Sequence, residues 1–258
     1  MRSFLLCYIT DRRQLRSASL PAVIRDTLRA GVDMVQIREK DLASRELIAL
    51  VEEALNAANE LEGEFVARAS GLPPLREKHP HAQLVRTHGP QTHPAAQSRL
   101  SVDRRSALPA RACVLVNDRL DVALAAGADG VHLGTHSMPV QVVRRVAPRP
   151  FVLGVSCHSL GEAQAAESGG ADYLVLGPVF ETPSKLEYGP PLGLEKLRIV
   201  TSRIRIPVLA LGGITVERVQ PCLEAGASGI AGIRIFQDCP SVQERVRELR
   251  AQFESSRS

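Results

Sequence analysis

Apolar residues in this chain gather in short runs, separated by longer segments of helical period. The runs are Phe4–Ile9, Met34–Ile37, Cys113–Val116, Gly130–Leu133, Phe151–Val155, Tyr173–Leu176, Val208–Leu211 and Ile230–Ile233. None alternates cleanly with polar residues, as expected of strands buried on both faces of a parallel sheet. Between them the spacing predicts helices over Leu20–Ala30, Arg45–Asn59, Leu120–Ala126, Pro139–Val146, Leu160–Ser168, Gly193–Ser202, Thr215–Ala225 and Ser241–Phe253.

One phrase recurs along the chain as AGVDMVQI, AGADGVHL, GGADYLVL and AGASGIAGI. Each copy reads as a helix end, a glycine suited to the left-handed cap, a tight turn and a strand. Strand–helix units repeated in this way predict one α/β domain, a single (β/α)8 barrel of the TIM type. An open doubly wound sheet is the alternative. Such sheets usually carry a Gly-rich phosphate fingerprint after the first strand, and YITDRRQ is not one.

Residues 61–110 break the rhythm. They hold Pro73-Pro74, His79-Pro80-His81, Gly89-Pro90 and His93-Pro94. The expectation is an irregular, disordered insertion between helix 2 and strand 3. An αβ connection lies on the N-terminal face of a barrel, away from the catalytic face. The spacing of His79, His81, His88 and His93 matches no compact metal site.

Composition narrows the partners. A length of 258 residues and 44% apolar content suit one barrel with a full core. The net charge of +4 comes from arginines spread along helices, which read as solvated faces. Aromatics are 3% and Trp is absent, so base-stacking and a nucleic-acid partner are not expected. No apolar run approaches the roughly 20 residues that span a membrane. The run at residues 1–9 is too short for a signal peptide. Five dispersed cysteines without a CxxC pair read as reduced core thiols of a cytoplasmic protein. Cys157, at a strand end, is a candidate nucleophile with no evident activating partner. A homo-oligomer is left open.

In this fold the strand C-termini build the site. Strand 2 ends in Gln36-Ile37-Arg38-Glu39-Lys40, and alternation places Gln36, Arg38 and Lys40 on one side. Two cations there suggest a polyanion such as diphosphate. Asn117-Asp118 after strand 3 reads either as a helix N-cap or as a magnesium site. His132 lies within an apolar run and reads as a satisfied barrel histidine. Strand 5 supplies Ser156 and His158, and strand 6 supplies Thr182, Ser184 and Lys185. Gly212-Gly213 and Gly232–Arg234 suggest a phosphate held by backbone N–H groups. The same glycines also suit ordinary tight turns. Two anion subsites without a dominant base or nucleophile favour a reaction with a good leaving group.

These motifs resemble the thiamine phosphate synthase family and its relatives, the thiazole tautomerases. The resemblance rests on Tyr8-Ile9-Thr10-Asp11, Gln36-x-Arg38-x-Lys40, Val116-Asn117-Asp118, Asp129 to Gly134, Gly154-Val155-Ser156-x-His158-Ser159, Gly177-Pro178-Val179-Phe180 and Gly212-Gly213-Ile214. It implies condensation of an aminopyrimidine-methyl diphosphate with a thiazole phosphate, giving thiamine phosphate and diphosphate. By that resemblance Gln36, Arg38, Lys40 and Asn117 hold the pyrimidine diphosphate. Ser156 and Lys185 contact the diphosphate, and Asp118 ligates magnesium (Mg2+). Thr182, Ser184, Gly213, Ile233 and Arg234 hold the thiazole phosphate. The implied partners are small phosphorylated substrates.

Two positions depart from the synthase pattern. Gly134-Thr135-His136-Ser137 stands where the family has Gly-Gln-x-Asp with a second magnesium carboxylate, and Arg234 stands where a serine is usual. The tautomerases also lack that Asp and use a histidine at the place of His158 for proton transfer. They tend to lose the strand 2 lysine and the strand 3 aspartate, both kept here as Lys40 and Asp118. The expected activity is therefore the synthase. Tautomerase action on a thiazole carboxylate phosphate and a non-catalytic phosphate binder are the alternatives.

Overall fold

The structure, a computed structural model, describes residues 4–15, 18–70, 111–182 and 190–255. Its strands are β1 (Leu5–Ile9), β2 (Met34–Ile37), β3 (Cys113–Asn117), β4 (Gly130–Leu133), β5 (Val152–Cys157), β6 (Tyr173–Leu176), β7 (Val208–Leu211) and β8 (Gly229–Gly232). All pairs are parallel, and β1 closes on β8. The helices are α1 (Leu20–Ala30), α2 (Ser44–Ser70), α3 (Leu120–Ala125), α4 (Val140–Val146), α5 (Leu160–Ser168), α6 (Gly193–Arg203), α7 (Val216–Glu224), α8 (Arg234–Gln237) and α9 (Val242–Ser255). This is the (β/α)8 barrel that the strand–helix rhythm predicts.

Alternation along each strand divides the core in two directions. Leu5, Cys7, Ile9, Met34, Leu115 and Tyr173 fill the barrel interior. Leu6, Tyr8, Val35 and Val116 face outward and pack on the helices. Because both faces are covered, the strands read as continuous apolar runs.

The recurring phrase has a structural purpose on the N-terminal face. Asp33, Asp129 and Asp172 each donate a backbone N–H to Leu6, Val114 and Leu153 at 3.0, 3.0 and 2.8 Å. Their carboxylates take back the N–H of the same three residues at 2.7, 2.8 and 2.8 Å. Each carboxylate is also paired with an arginine: Arg250, Arg111 and Arg144 at 2.8, 2.7 and 2.6 Å. The pairing offsets the cost of desolvating the charge. In the three copies that carry an aspartate, the repeat is thus a clamp that sets the register of neighbouring strands at the end away from the site; the fourth has Ser228 there.

Helix α2 continues to Ser70 rather than ending near Asn59, so residues 61–70 of the region read as an insertion belong to it. Gly63 obscures this in sequence, because glycine disfavours a helix interior by about 1 kcal/mol. Tertiary contact overrides it: Leu61 packs against the core and Glu62 lies 3.7 Å from Arg111. The rest of that region, residues 71–110, lies outside the described residues. The short helix α8, which the apolar pattern does not predict, follows β8 directly. Among the described residues, no helix is long and apolar enough to cross a membrane.

Candidate active site

The C-terminal mouth of the barrel encloses a cavity of about 330 Å³. One wall carries Gln36, Arg38 and Asn117. Gln36 points into the barrel and is 1% exposed. Its amide lies beside the Tyr173 hydroxyl, and Nε2 makes no hydrogen bond of full geometry among the described residues. Arg38 sits on the turn after β2, and Thr10 holds that turn. The Thr10 N–H donates to the Gln36 carbonyl at 2.9 Å, and the Arg38 N–H donates to Thr10 Oγ1 at 2.9 Å. Thr10 in turn donates to the buried Glu39 carboxylate at 2.7 Å, which also takes the Arg12 N–H at 3.2 Å. The Arg38 guanidinium has no protein partner among the described residues.

Lys40 is not on this wall. It is exposed and lines a smaller adjoining cavity with Asn117 and Asp118. Strand geometry ends at Ile37, so the alternation that grouped Lys40 with Arg38 no longer applies. Asn117 borders both cavities.

Asp118 does not cap a helix. It has a φ of 60° and turns its carboxylate across to β4. Oδ1 accepts the Gly134 N–H at 2.9 Å and the Ser137 hydroxyl, and Oδ2 accepts Asn117 Nδ2 at 2.8 Å. Partial burial works to raise its pKa. The three hydrogen bonds and the nearby Lys40 charge outweigh that and hold it below the usual carboxylate range.

His132, Ser156 and Tyr173 form a polar group at the cavity floor, from β4, β5 and β6. His132 Nδ1 lies 2.9 Å from the Tyr173 hydroxyl, and Nε2 lies 2.9 Å from Ser156 Oγ. His132 and Ser156 line the cavity, and Tyr173 lies fully buried inside the barrel. Burial lowers the His132 pKa to about 4, against a small opposing pull from Asp118. Burial pushes the Tyr173 phenol well above its ordinary range, with a small counter-effect from the nearby Gln36 amide. The sequence reading of His132 as a satisfied barrel histidine therefore holds for its burial, yet its ring also borders the site.

The opposite wall carries Thr182, Gly212, Gly213, Gly232, Ile233 and Arg234. Gly213 has φ +62°, and a Cβ there would lie 2.5 Å from the Glu181 carbonyl. Only glycine suits that backbone. Arg234 Nη2 approaches Thr182 Oγ1 at 3.5 Å. Ser184 and Lys185 lie outside the described residues.

His158 is placed apart from the cavity lining. Its Nδ1–H donates to the Gly177 carbonyl, and its backbone N–H donates to Glu162 at 2.7 Å. Cys157 is fully buried and packs outward on the helices; burial and Glu162 push its thiol up to about 12. That environment is unsuited to a nucleophile. The sequence reading missed Asp11 and Gln14, which also line the cavity. Asp11 belongs to the YITD motif, which positions a turn and carries no chemical signature of its own, and Gln14 lies three residues beyond it with no signal in sequence.

A family model described as thiamine monophosphate synthase matches residues 6–68 and 84–236. The chain belongs to the thiamine monophosphate synthase family. It is 34% identical to the thiamine-phosphate synthase of Roseiflexus castenholzii, over 93% of this chain and 84% of that protein. It is 32% identical to the thiamine-phosphate synthase of Syntrophomonas wolfei, over 96% of each. The solved thiamine phosphate pyrophosphorylase of Pyrococcus furiosus superposes with a TM-score of 0.72 at 29% identity, covering 100% of this chain and 98% of that one. Membership in the thiamine monophosphate synthase family supports a transferase-type enzymatic activity in thiamine biosynthesis.

Proposed function

We propose that the protein condenses 4-amino-2-methyl-5-pyrimidinylmethyl diphosphate with thiazole phosphate, releasing diphosphate and forming thiamine phosphate. The observation that carries this reading is the pairing of two anion-suited walls across one cavity. Arg38 and Asn117 face it from one side, and Gly213 and Arg234 from the other. A guanidinium without a partner among the described residues suits the charge that develops on departing diphosphate. The opposing wall orients the thiazole so that its nitrogen meets the pyrimidine methylene.

Asp118 retains one open acceptor position on Oδ2, since Asn117 fills the other. A single carboxylate oxygen fits magnesium, which takes one or two carboxylates with phosphate oxygens and water. Asp118 would hold it, with the diphosphate supplying further ligands. When bound, the ion would neutralise leaving-group charge. Lys40, beside Asp118 in the adjoining cavity, contributes a second positive charge to the same region.

The placement of His158 away from the cavity lining weighs against the tautomerase alternative, in which that imidazole would move a proton on the substrate. The test is incubation of the purified protein with both substrates and magnesium, with mass identification of the product. Thiamine phosphate supports the proposal. Isomerised thiazole carboxylate phosphate formed without magnesium, or tight binding without turnover, would replace it.

A further inference from the structure

We infer that Tyr173 and His132 are positioning residues that present the Ser156 hydroxyl hydrogen to an anionic oxygen of the ligand. This rests on the reading of the cavity as a diphosphate site.

Three adjacent strands set up the arrangement. His132 on β4 pairs in register with Gly154 on β5, and Gly154 pairs with Tyr173 on β6. The three residues therefore share one layer of the barrel interior. A methyl group at Gly154 would fall on the Tyr173 ring and hydroxyl. The missing side chain is what lets the phenol cross the layer and reach His132. Gly154 thus has a specific part in the site, although its own backbone conformation is unexceptional.

The hydrogens can be assigned from chemistry. An imidazole enclosed between two hydroxyls, in the barrel interior, is neutral and carries one N–H. If Tyr173 donates to Nδ1, the proton resides on Nε2, which donates to Ser156 Oγ. The serine hydrogen is then free to point into the cavity. In the reverse arrangement Ser156 spends its hydrogen on Nε2, Nδ1 donates to the phenol, and the serine offers lone pairs to an anion. The first arrangement suits a phosphate oxygen and the second opposes it. No proton is transferred in this role; the imidazole orients a neutral donor.

Two measurements on the full-length chain test it. Long-range proton–nitrogen correlation on protein labelled at histidine, with His132 assigned by its loss in His132→Asn, reads the tautomer directly. A protonated Nε2 is expected, and a protonated Nδ1 overturns the inference. Calorimetric titration with inorganic diphosphate and magnesium reads the coupling. Tyr173→Phe and Ser156→Ala should each weaken binding about five- to tenfold, the worth of one hydrogen bond to a charged group. Combined, they should weaken it no more than Ser156→Ala alone. Losses that multiply would mean that Tyr173 acts on the site by a route other than Ser156, and would overturn the positioning role. Wild-type protein that fails to bind diphosphate would overturn the ligand assigned to Ser156, and with it the synthase reading. The tautomer result would still decide whether Tyr173 orders the floor.

Discussion

Ser137 donates its hydroxyl to Asp118 Oδ1, the same oxygen that takes the Gly134 N–H at 2.9 Å. By the resemblance, the serine stands where the synthases have an aspartate, and it supplies a donor where a charge would be. Asp118 is therefore held in place by the protein, with or without a cation.

This predicts weak magnesium binding by the free protein and tighter binding with diphosphate present. Ser137→Asp adds a carboxylate beside Asp118 and should tighten the metal by about tenfold, read by titration with magnesium or manganese. An unchanged affinity would show that residue 137 cannot reach the ion.

Arg38→Ala should lower kcat/KM for thiamine phosphate formation by about 10²-fold, because it removes a guanidinium facing the departing charge. Steady-state kinetics within twofold of wild type would remove Arg38 from the mechanism.

His158 and Asp118 separate the two chemistries. Asp118→Asn should abolish the synthase reaction, while His158→Ala should leave it within a few-fold. The reverse pattern, measured on both substrates, would identify the imidazole as a proton carrier.

Acidification should destabilise the fold through His132. Its folded pKa of about 4 lies below the unfolded value near 6.5, so burial favours the neutral form. The stability tied to the neutral ring is whole above about pH 6.5 and is lost progressively as pH falls toward 4. Urea midpoints at pH 7 and pH 5 should differ more in wild type than in His132→Asn. Equal differences would assign the acid sensitivity to other groups.

Asp172→Asn should cost about 3–5 kcal/mol in urea unfolding. The substitution removes the buried charge that pairs with both Arg144 and Arg149 at 2.6 Å and weakens the clamp on Leu153. A loss below 1 kcal/mol would show that the clamp does not hold the register.

Periodicity alone determined the barrel, because strands buried on both faces must be apolar throughout and each helix must end in a residue that permits the turn back. Gln36, Arg38 and Asn117 were legible as lining of the C-terminal mouth because a polar residue at the end of a buried strand, or just after it, reaches that face. Lys40 lies three residues beyond β2, and His158, although it directly follows β5, turns to the Gly177 carbonyl; only the tertiary structure decided that Lys40 joins Asp118 in the adjoining cavity and that His158 lines neither. The meaning of Ser137 also waited for the fold, since its partner Asp118 is 19 residues away in sequence. Tyr173 and Gly154 read as core residues in sequence. Their joint effect on His132 arises from cross-strand register, a relation between chain segments that no single segment encodes.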